Sequence, residues 1–288
     1  MFAISPDIEL GAYEYLLNEE VSSYKQLSDL MKEKKALTPS LLVSQSNAEK
    51  YMDDAISRIN KSHINNFDVI VAGTSDYIEK LNDLENPIPV LYFQGNLDYL
   101  QTKSVAIVGS RNPSLDGKKR AYKLVKELVQ NDFTIVSGLA AGIDTVAHEA
   151  AIEMGGRTIA VIGTPITHYY PKSNQQLQTQ IARNHLLVSQ VPIIRYDNGN
   201  PKTNRFNFPE RNKTMSAISD ATVIVEASNT SGTLTQARAA IKQKRKLFIL
   251  NNNFENPELN WPSKFEEKGA IRAYNTSQIL EKLTDASK

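Results

Sequence analysis

The sequence predicts an α/β fold built on a doubly wound, mostly parallel sheet, with a small helical module at the N-terminus. Short β-branched apolar runs alternate with amphipathic segments of helical spacing after residue 100, whereas residues 8–59 show helical spacing alone. Such runs are typical of strands buried on both faces of a parallel sheet. We therefore predict a helical module over residues 1–65 and an extended Rossmann-like domain over 66–288, with its core at 104–250.

The overall composition narrows the class of protein. A chain of 288 residues is long enough for one sizeable core and an appended module. Lys and Arg (33) nearly balance Asp and Glu (32), so a polyanion would have to bind a local basic patch. The chain has no cysteine, which excludes disulfides, thiolate nucleophiles and cysteine-ligated zinc. It also has no leader-like start and no long apolar run, so we expect a cytoplasmic protein that does not bind a membrane.

The N-terminal module is predicted as several short helices. Leu10, Tyr13 and Leu16 have helical spacing, and Pro39 interrupts the pattern, so a coiled coil is not expected. A packing cap on the main domain is the simplest role for such a module. Oligomerisation and partner docking are the alternatives.

The main domain is predicted to alternate strands and helices. Two strands, at residues 69–72 and 90–93, are expected at the sheet edge next to the module. The predicted core strands are residues 105–108, 133–136, 158–162, 185–188, 222–225 and 246–250. The predicted helices between them are residues 117–131, 143–155, 174–184, 211–219 and 233–244.

Glycine-containing turns follow four of the predicted core strands. They lie at residues 109–111, 137–144, 163–164 and 228–233. Carboxyl ends of parallel strands share one sheet edge, where helix N-termini favour anions, so we predict a phosphate-binding edge there. Neither the P-loop motif nor G-x-G-x-x-G is present, which argues against P-loop ATP hydrolysis and ordinary NAD binding. No cofactor is predicted.

Basic side chains near this edge supply candidate contacts. Arg111 follows the first turn closely enough for its guanidinium to reach a bound phosphate. Residues 202–213 interleave Lys and Arg with Phe206 and Phe208, a mixture typical of a path for a single nucleic-acid strand. A polar surface loop with two packed phenylalanines would have the same composition. The cluster at residues 242–246 is typical of cations at a helix C-terminus.

The sequence offers little support for catalysis. Its four histidines lack metal-ligand spacing, so no metal site is predicted. Asp144 and His148 have the residue types of an acid/base pair, but no nucleophile is placed beside them. His148 is better interpreted as a polar side chain that ties its helix to a neighbouring loop. We therefore predict that the protein is not an enzyme.

Several longer motifs resemble the DprA/Smf family, the DNA-processing proteins of bacterial transformation. The resemblance rests on Val-Gly-Ser-Arg at 108–111, Ser-Gly-Leu-Ala-Ala-Gly-Ile-Asp at 137–144, Tyr-Pro at 170–171, Phe-Pro-Glu-Arg-Asn at 208–212 and Ser-Gly-Thr-Leu at 231–234. Motif order and approximate spacing agree with that family over about residues 68–270.

The resemblance implies a protein that binds single-stranded DNA without catalysing a reaction. It also implies a homodimer that protects the strand and loads a RecA-type recombinase onto it. Arg111, Arg211 and Lys213 would be DNA contacts, and Lys172 and Asn174 additional ones. Together with the turns, the candidate DNA or phosphate contacts are Gly109, Ser110, Arg111, Gly138, Lys172, Asn174, Phe208, Arg211, Asn212, Lys213, Ser231, Gly232 and Thr233.

The chain departs from the family pattern at several positions. Ala141, Gln190 and Asn251 differ from the residues common there, and Lys213 replaces an arginine. The winged-helix module that many members carry at the C-terminus is not expected within these 288 residues. These departures weaken the inferences of recombinase loading and of dimer formation more than the inference of DNA binding, because the turns that would bind DNA are kept. Two alternatives stay open: a small-nucleotide sensor on the same sheet edge, and an enzyme of the phosphoribohydrolase type. The latter resembles residues 231–234, but Thr235 and Gln236 follow where it has a glutamate.

Overall fold

The computed structural model describes residues 4–284 and contains one sheet of nine strands. The outer ends of the two predicted domains, residues 1–3 and 285–288, lie outside the described part. The strands are β1 (Asp68–Val71), β2 (Val90–Gly95), β3 (Ser104–Val108), β4 (Thr134–Ser137), β5 (Thr158–Ile162), β6 (Leu186–Ser189), β7 (Ala221–Ile224), β8 (Lys246–Leu250) and β9 (Ile271–Ala273). Their order in the sheet is β1-β2-β6-β5-β4-β3-β7-β8-β9.

The helices flank both faces of this sheet. They are α1 (Pro6–Tyr15), α2 (Tyr24–Lys34), α3 (Gln45–Lys61), α4 (Leu115–Gln130), α5 (Ile143–Glu153), α6 (Gln175–Asn184), α7 (Ile193–Asn198), α8 (Pro201–Asn204), α9 (Asn207–Ile218), α10 (Thr233–Lys242), α11 (Asn252–Glu255), α12 (Pro262–Glu266) and α13 (Thr276–Thr284). A π-helical turn at Leu16–Glu20 and 3₁₀ turns at Pro39–Leu42, Glu79–Asp83, Leu97–Gln101 and Lys172–Asn174 complete the regular structure.

The predicted doubly wound sheet is confirmed. Strands β3 to β9 run parallel, and β2 pairs antiparallel with both β1 and β6. Our expectation that both early strands lie at an edge is right for β1 and wrong for β2, which lies between two partners. Strand β9, the last of the sheet, was not predicted.

Side chains alternate between the two faces of each strand, as the period of a strand requires. Ala106 and Val108 of β3 contact the cluster beneath α9, α10 and α12, whereas Val105 and Ile107 contact the cluster beneath α4, α5 and α13. Because both faces are covered by helices, every residue of β3 is buried. This accounts for its continuous apolar sequence.

The N-terminal helices pack on the β1-β2-β6 end of the sheet. Leu10 and Tyr13 of α1 share one buried cluster with Val69 and Leu187, and the Tyr13 hydroxyl donates to the Gln190 carbonyl at 2.7 Å. Glu14 is buried beside them. This shared core joins the helices closely to the sheet, and the division into domains at residue 65 stays a prediction.

Candidate functional site

The strand order reverses between β3 and β7, and a cleft lies outside their carboxyl ends. From β3 the chain winds outward through β4, β5 and β6, then returns to β7 on the other side of β3 and continues to β8 and β9. Such a topological switch point is where open α/β sheets bind ligands. The cleft has a volume of about 410 Å³. The predicted site residues that line it are Gly109, Ser110, Arg111, Arg211, Asn212, Ser231, Gly232 and Thr233.

Two loops meet in the cleft through direct contacts. The Ser110 amide donates to the Glu226 carbonyl at 2.7 Å, and the Thr233 hydroxyl donates to the Gly109 carbonyl at 3.2 Å. Gly142, with φ of 85°, is the N-cap of α5 and lies against the backbone of Ser110. A Cβ on Gly142 would lie 2.3 Å from the Ser110 carbonyl oxygen. Three of the four turns that were predicted to share a sheet edge, at residues 109–111, 137–144 and 228–233, are therefore in contact with one another.

The N-termini of α4 and α10 differ in charge. At α4, Glu226 accepts from the Ser114 amide at 2.9 Å and from the Ser114 hydroxyl at 2.6 Å, and Asp116 lies in the first turn. These carboxylates offset the positive end of the α4 dipole. At α10 the first turn carries no acidic residue, and its N-cap is Gly232. The N-terminus of α10 is therefore the more favourable of the two for an anion.

Arg111 lies at the mouth of the cleft beside two aromatic rings, which we call the aromatic rim (Tyr170 and Phe208). Its guanidinium carbon lies 6.0 Å from the Phe208 ring centroid, and the Phe208 and Tyr170 centroids are 5.3 Å apart. Tyr170 is 49% exposed. Within residues 4–284, no carboxylate lies within ion-pairing distance of Arg111. The rim therefore presents a cation and exposed ring surface together.

Phe208 is held in place by the backbone beneath it. A Cβ built on Gly163 would lie 2.6 Å from Cδ1 of Phe208, so the ring lies directly on the glycine at the end of β5. Sequence reasoning identified Phe208 but missed Tyr170 as a partner. The Tyr-Pro motif before Lys172 was the available signal.

Arg211 is buried below the cleft, with 4% of its surface exposed. Its Nη1 donates to the carbonyls of Gly138 and of Val161, the latter at 2.6 Å. Burial lowers the pKa of Arg211 to about 10, although nearby Asp144 raises it. Burial also raises the pKa of Asp144, and Arg211 opposes that shift. Arg211 therefore ties the ends of β4 and β5 together and forms the floor of the cleft.

Gly138 is required by the same contact. A Cβ at Gly138 would lie 2.1 Å from Nη1 of Arg211 and 2.7 Å from Oδ2 of Asp144. Gly138 thus leaves room for the guanidinium and does not line the cleft itself. The next residue of α9, Asn212, accepts from Nε of Arg211 at 2.9 Å and donates to the Gly232 carbonyl at 3.1 Å, which links α9 to the start of α10.

Three further predicted contacts lie outside the cleft. Asn174 is buried, and its Nδ2 donates to the Leu139 carbonyl at 3.0 Å and to the Thr145 hydroxyl oxygen at 2.8 Å. Lys213 pairs with Glu210 at 2.7 Å. Lys172 lies two residues after Tyr170 in the sequence. Asn174 therefore has a structural role in the β4–α5 loop, and Lys172 is the nearest of the three in sequence to the aromatic rim.

Asp144 and His148 do not form an acid/base pair. Nδ1 of His148 lies 2.7 Å from the Thr158 hydroxyl, and burial lowers the pKa of His148 to about 3, so its ring is neutral. Asp144 instead accepts from the Ala140 amide at 3.3 Å. Over residues 4–284, no group of three His, Cys, Asp or Glu side chains is placed to hold a metal ion. No helix in that range is long and apolar enough to cross a membrane.

Comparison with known protein families shows to which family the chain belongs. The family model for DNA recombination-mediator protein A matches residues 68–284. The chain belongs to this family. The resemblance predicted from the motifs is thereby confirmed. Over 212 residues the chain is 38% identical to Protein Smf of Synechocystis sp., an alignment that covers 72% of this chain and 52% of that protein.

Two solved structures of the family have the same architecture. DNA processing protein A of Streptococcus pneumoniae superposes with a TM-score of 0.69 at 28% identity, covering 97% of this chain and 93% of that one. The Helicobacter pylori protein, described for its single-stranded DNA binding mode, superposes with a TM-score of 0.65 at 28% identity, covering 78% and 98%. The chain nevertheless spans only about half the length of the Synechocystis relative.

Proposed function

We propose that this protein binds single-stranded DNA across the cleft and the aromatic rim. The observation that carries the proposal is the arrangement of Arg111, Phe208 and Tyr170 beside a cleft that includes the N-terminus of α10. A guanidinium and a helix N-terminus suit phosphates, and ring faces suit bases. Bases in a duplex are already stacked and do not offer their faces, so this arrangement favours a single strand.

We further propose the role that the family description names, that of a recombination mediator. In this role the protein protects the strand and loads a RecA-type recombinase, acts as a homodimer without catalysis, and works in the cytoplasm. Support comes from family membership and from the Helicobacter pylori relative, whose binding of single-stranded DNA has been described. Light scattering tests the dimer. Strand exchange by a RecA-type recombinase, with and without this protein, tests the loading.

The binding proposal is tested by fluorescence anisotropy of a labelled single-stranded oligonucleotide. Wild type and Arg111→Ala are titrated at two salt concentrations, with a duplex of the same sequence for comparison. We expect binding that prefers the single strand, weakens with salt and falls at least tenfold in the variant. Folded wild-type protein that does not bind, or that binds with no dependence on salt, would contradict the proposal.

A small-nucleotide sensor is the second candidate, because the cleft volume of about 410 Å³ falls within the usual range of small-ligand sites. Thermal stabilisation by one nucleotide but not by oligonucleotides would favour it. The phosphoribohydrolase alternative has less support. Among the described residues that line the cleft, Asp144 is the only carboxylate, and it is buried beside Arg211. Release of free base from a nucleoside monophosphate would restore that alternative.

A further inference from the structure

Helix α4 exposes a basic surface that begins beside the cleft. Its buried side packs through residues such as Ala121, Leu124 and Leu128. On its outer side lie Lys118, Lys119 and Lys126, all exposed, which we call the α4 lysine face. At about 100° per residue, Lys119 and Lys126 lie within about 20° of each other around the helix axis, and Lys118 lies within about 100° of both, so the three occupy one side of the helix. None of them belongs to a motif that identified the family.

The α4 lysine face is available to bind an anion. Within residues 4–284, no carboxylate lies within ion-pairing distance of Lys118 or Lys126. Lys119 lies 3.6 Å from Asp116, but both side chains are highly exposed (80% and 73%). Exposed pairs of this kind contribute little and exchange readily. The lysines can therefore turn to phosphates at small cost.

The position of α4 connects this face to the cleft. The loop that contains Arg111 and Asn112 lines the cleft, and α4 begins three residues later at Leu115. Ser114 and Glu226 fix that junction through the hydrogen bonds described above. At a rise of ~1.5 Å per residue, the helix carries Lys126 roughly 16 Å from Leu115. A ligand leaving the cleft on this side would pass the carboxylates of Glu226 and Asp116 at the start of α4 and then meet Lys118 and Lys119, with Lys126 two turns further on.

We propose that a single strand bound in the cleft continues along α4, with its phosphates on the α4 lysine face. This inference rests on the proposed function, because it names where the strand goes beyond the cleft. Leu115, which is 77% exposed at the start of the helix, offers an apolar contact for a base between the rim and the lysines. A long polyanion is favoured over a mononucleotide, since only a polymer can reach the cleft and the lysine face together.

The test varies the length of the strand. Lys118, Lys119 and Lys126 are all changed to Gln, and anisotropy is measured with strands of about 6 and about 30 nucleotides over a range of salt concentrations. The control changes Lys32, Lys34 and Lys50 to Gln, three exposed lysines on the N-terminal helices that do not line the cleft. It removes the same charge from another surface.

We expect the α4 variant to bind the long strand at least tenfold more weakly and the short strand normally. The slope of log K against log salt should fall by about 2 for the long strand, at about 0.7 per lost phosphate contact. Equal losses in the α4 variant and the control would overturn the proposal, as would a long-strand slope that does not change. If Arg111→Ala still weakens binding at least tenfold in that case, the proposed function stands and only the path along α4 is wrong. If wild type binds neither strand, the proposed function itself fails.

Discussion

Arg211 and Val161 are joined by a hydrogen bond of 2.6 Å from the guanidinium Nη1 to the carbonyl oxygen of β5. Arg211 also bonds to Gly138 at the end of β4, so it bridges two parallel strands just below the cleft. Arg111, in contrast, is exposed at the rim. The two arginines that sequence reasoning grouped together therefore have separate positions, one supporting the site and one facing the solvent.

This difference predicts unequal effects of two alanine substitutions on stability. Arg211→Ala should lower the free energy of unfolding by about 3 kcal/mol, because two buried carbonyls lose their donor and Asp144 loses its neighbouring cation. Arg111→Ala should change it by less than about 0.5 kcal/mol, because Arg111 is exposed. Urea denaturation followed by circular dichroism measures both. Equal stability of the two variants would show that the bridge is not significant.

A substitution at Gly138 tests whether this glycine leaves the space that the Arg211 guanidinium needs to bridge β4 and β5. Gly138→Ala should destabilise the protein by about 1–3 kcal/mol, because the new methyl group would occupy the place of the Arg211 guanidinium. Gly232→Ala is the matched control. The φ of Gly232, −59°, suits alanine, and apart from its chain neighbours no described residue lies within 4 Å of the Cβ position. Thermal denaturation should separate the two variants clearly. If Gly138→Ala is as stable as the control, the guanidinium has room to move.

The aromatic rim predicts a loss of affinity without a loss of fold. Phe208→Leu keeps an apolar side chain over Gly163 but removes the ring. Stacking of one base on a ring contributes about 1–3 kcal/mol, so the affinity for single-stranded DNA should fall by roughly five- to 150-fold. Tyr274→Leu is the control, because Tyr274 is another exposed ring, 60% accessible, that follows β9 away from the rim. Anisotropy titrations provide the comparison. If Phe208→Leu binds single-stranded DNA as tightly as wild type, the aromatic rim is not part of the binding site.

The sheet could be predicted from the sequence because its core strands are buried on both faces. A continuous apolar run as short as that of β3, bounded by turn residues, is typical of a buried strand. Strand β9 was missed because Ile271–Ala273 is only three residues long and carries an arginine at its centre. The first turn of α9 was missed because Pro209 suggests a loop. A proline there is compatible with a helix, since the first turn has free N–H groups in any case.

The meeting of the turns could be predicted, but the burial of individual site residues could not. Arg211 offers the same donors to a phosphate and to a carbonyl, so its chemistry does not reveal its partner. The spacing of Arg211 from Met215 and Ile218 could have indicated its burial, because residues four and seven apart lie on the same face of a helix. In the structure all three residues are buried. Asn174 offered no such pattern. Its partners, Leu139 of the β4–α5 loop and Thr145 in the first turn of α5, lie 35 and 29 residues earlier in the chain.

Glu14 fastens α1 to the rest of the protein. Its carboxylate accepts from the amides of Ile193 and Ile194 at 2.7 and 3.0 Å and from the Tyr92 hydroxyl at 2.5 Å. Burial raises the pKa of Glu14 from 4.5 to about 7, against the lowering effect of these hydrogen bonds. The folded state therefore holds a proton on Glu14 more tightly than the unfolded state does.

The raised pKa of Glu14 determines how the free energy of unfolding should change with pH. The contribution of the Glu14 proton is fully present below pH 4.5 and is lost as the pH rises to about 7, so the free energy of unfolding should fall over that range. The fall in the free energy of unfolding is at most about 3–4 kcal/mol, because the pKa rises from 4.5 to about 7 and each pKa unit corresponds to about 1.4 kcal/mol. Urea denaturation of wild type and Glu14→Gln at several pH values isolates the effect, because other titrating groups are common to both. Glu49→Gln, an exposed site on α3, should follow wild type at every pH. The difference in the free energy of unfolding between wild type and Glu14→Gln should change between pH 4.5 and about 7 and stay constant above pH 7. A difference that is constant over the whole range would mean that Glu14 is already ionised in the folded protein at pH 4.5.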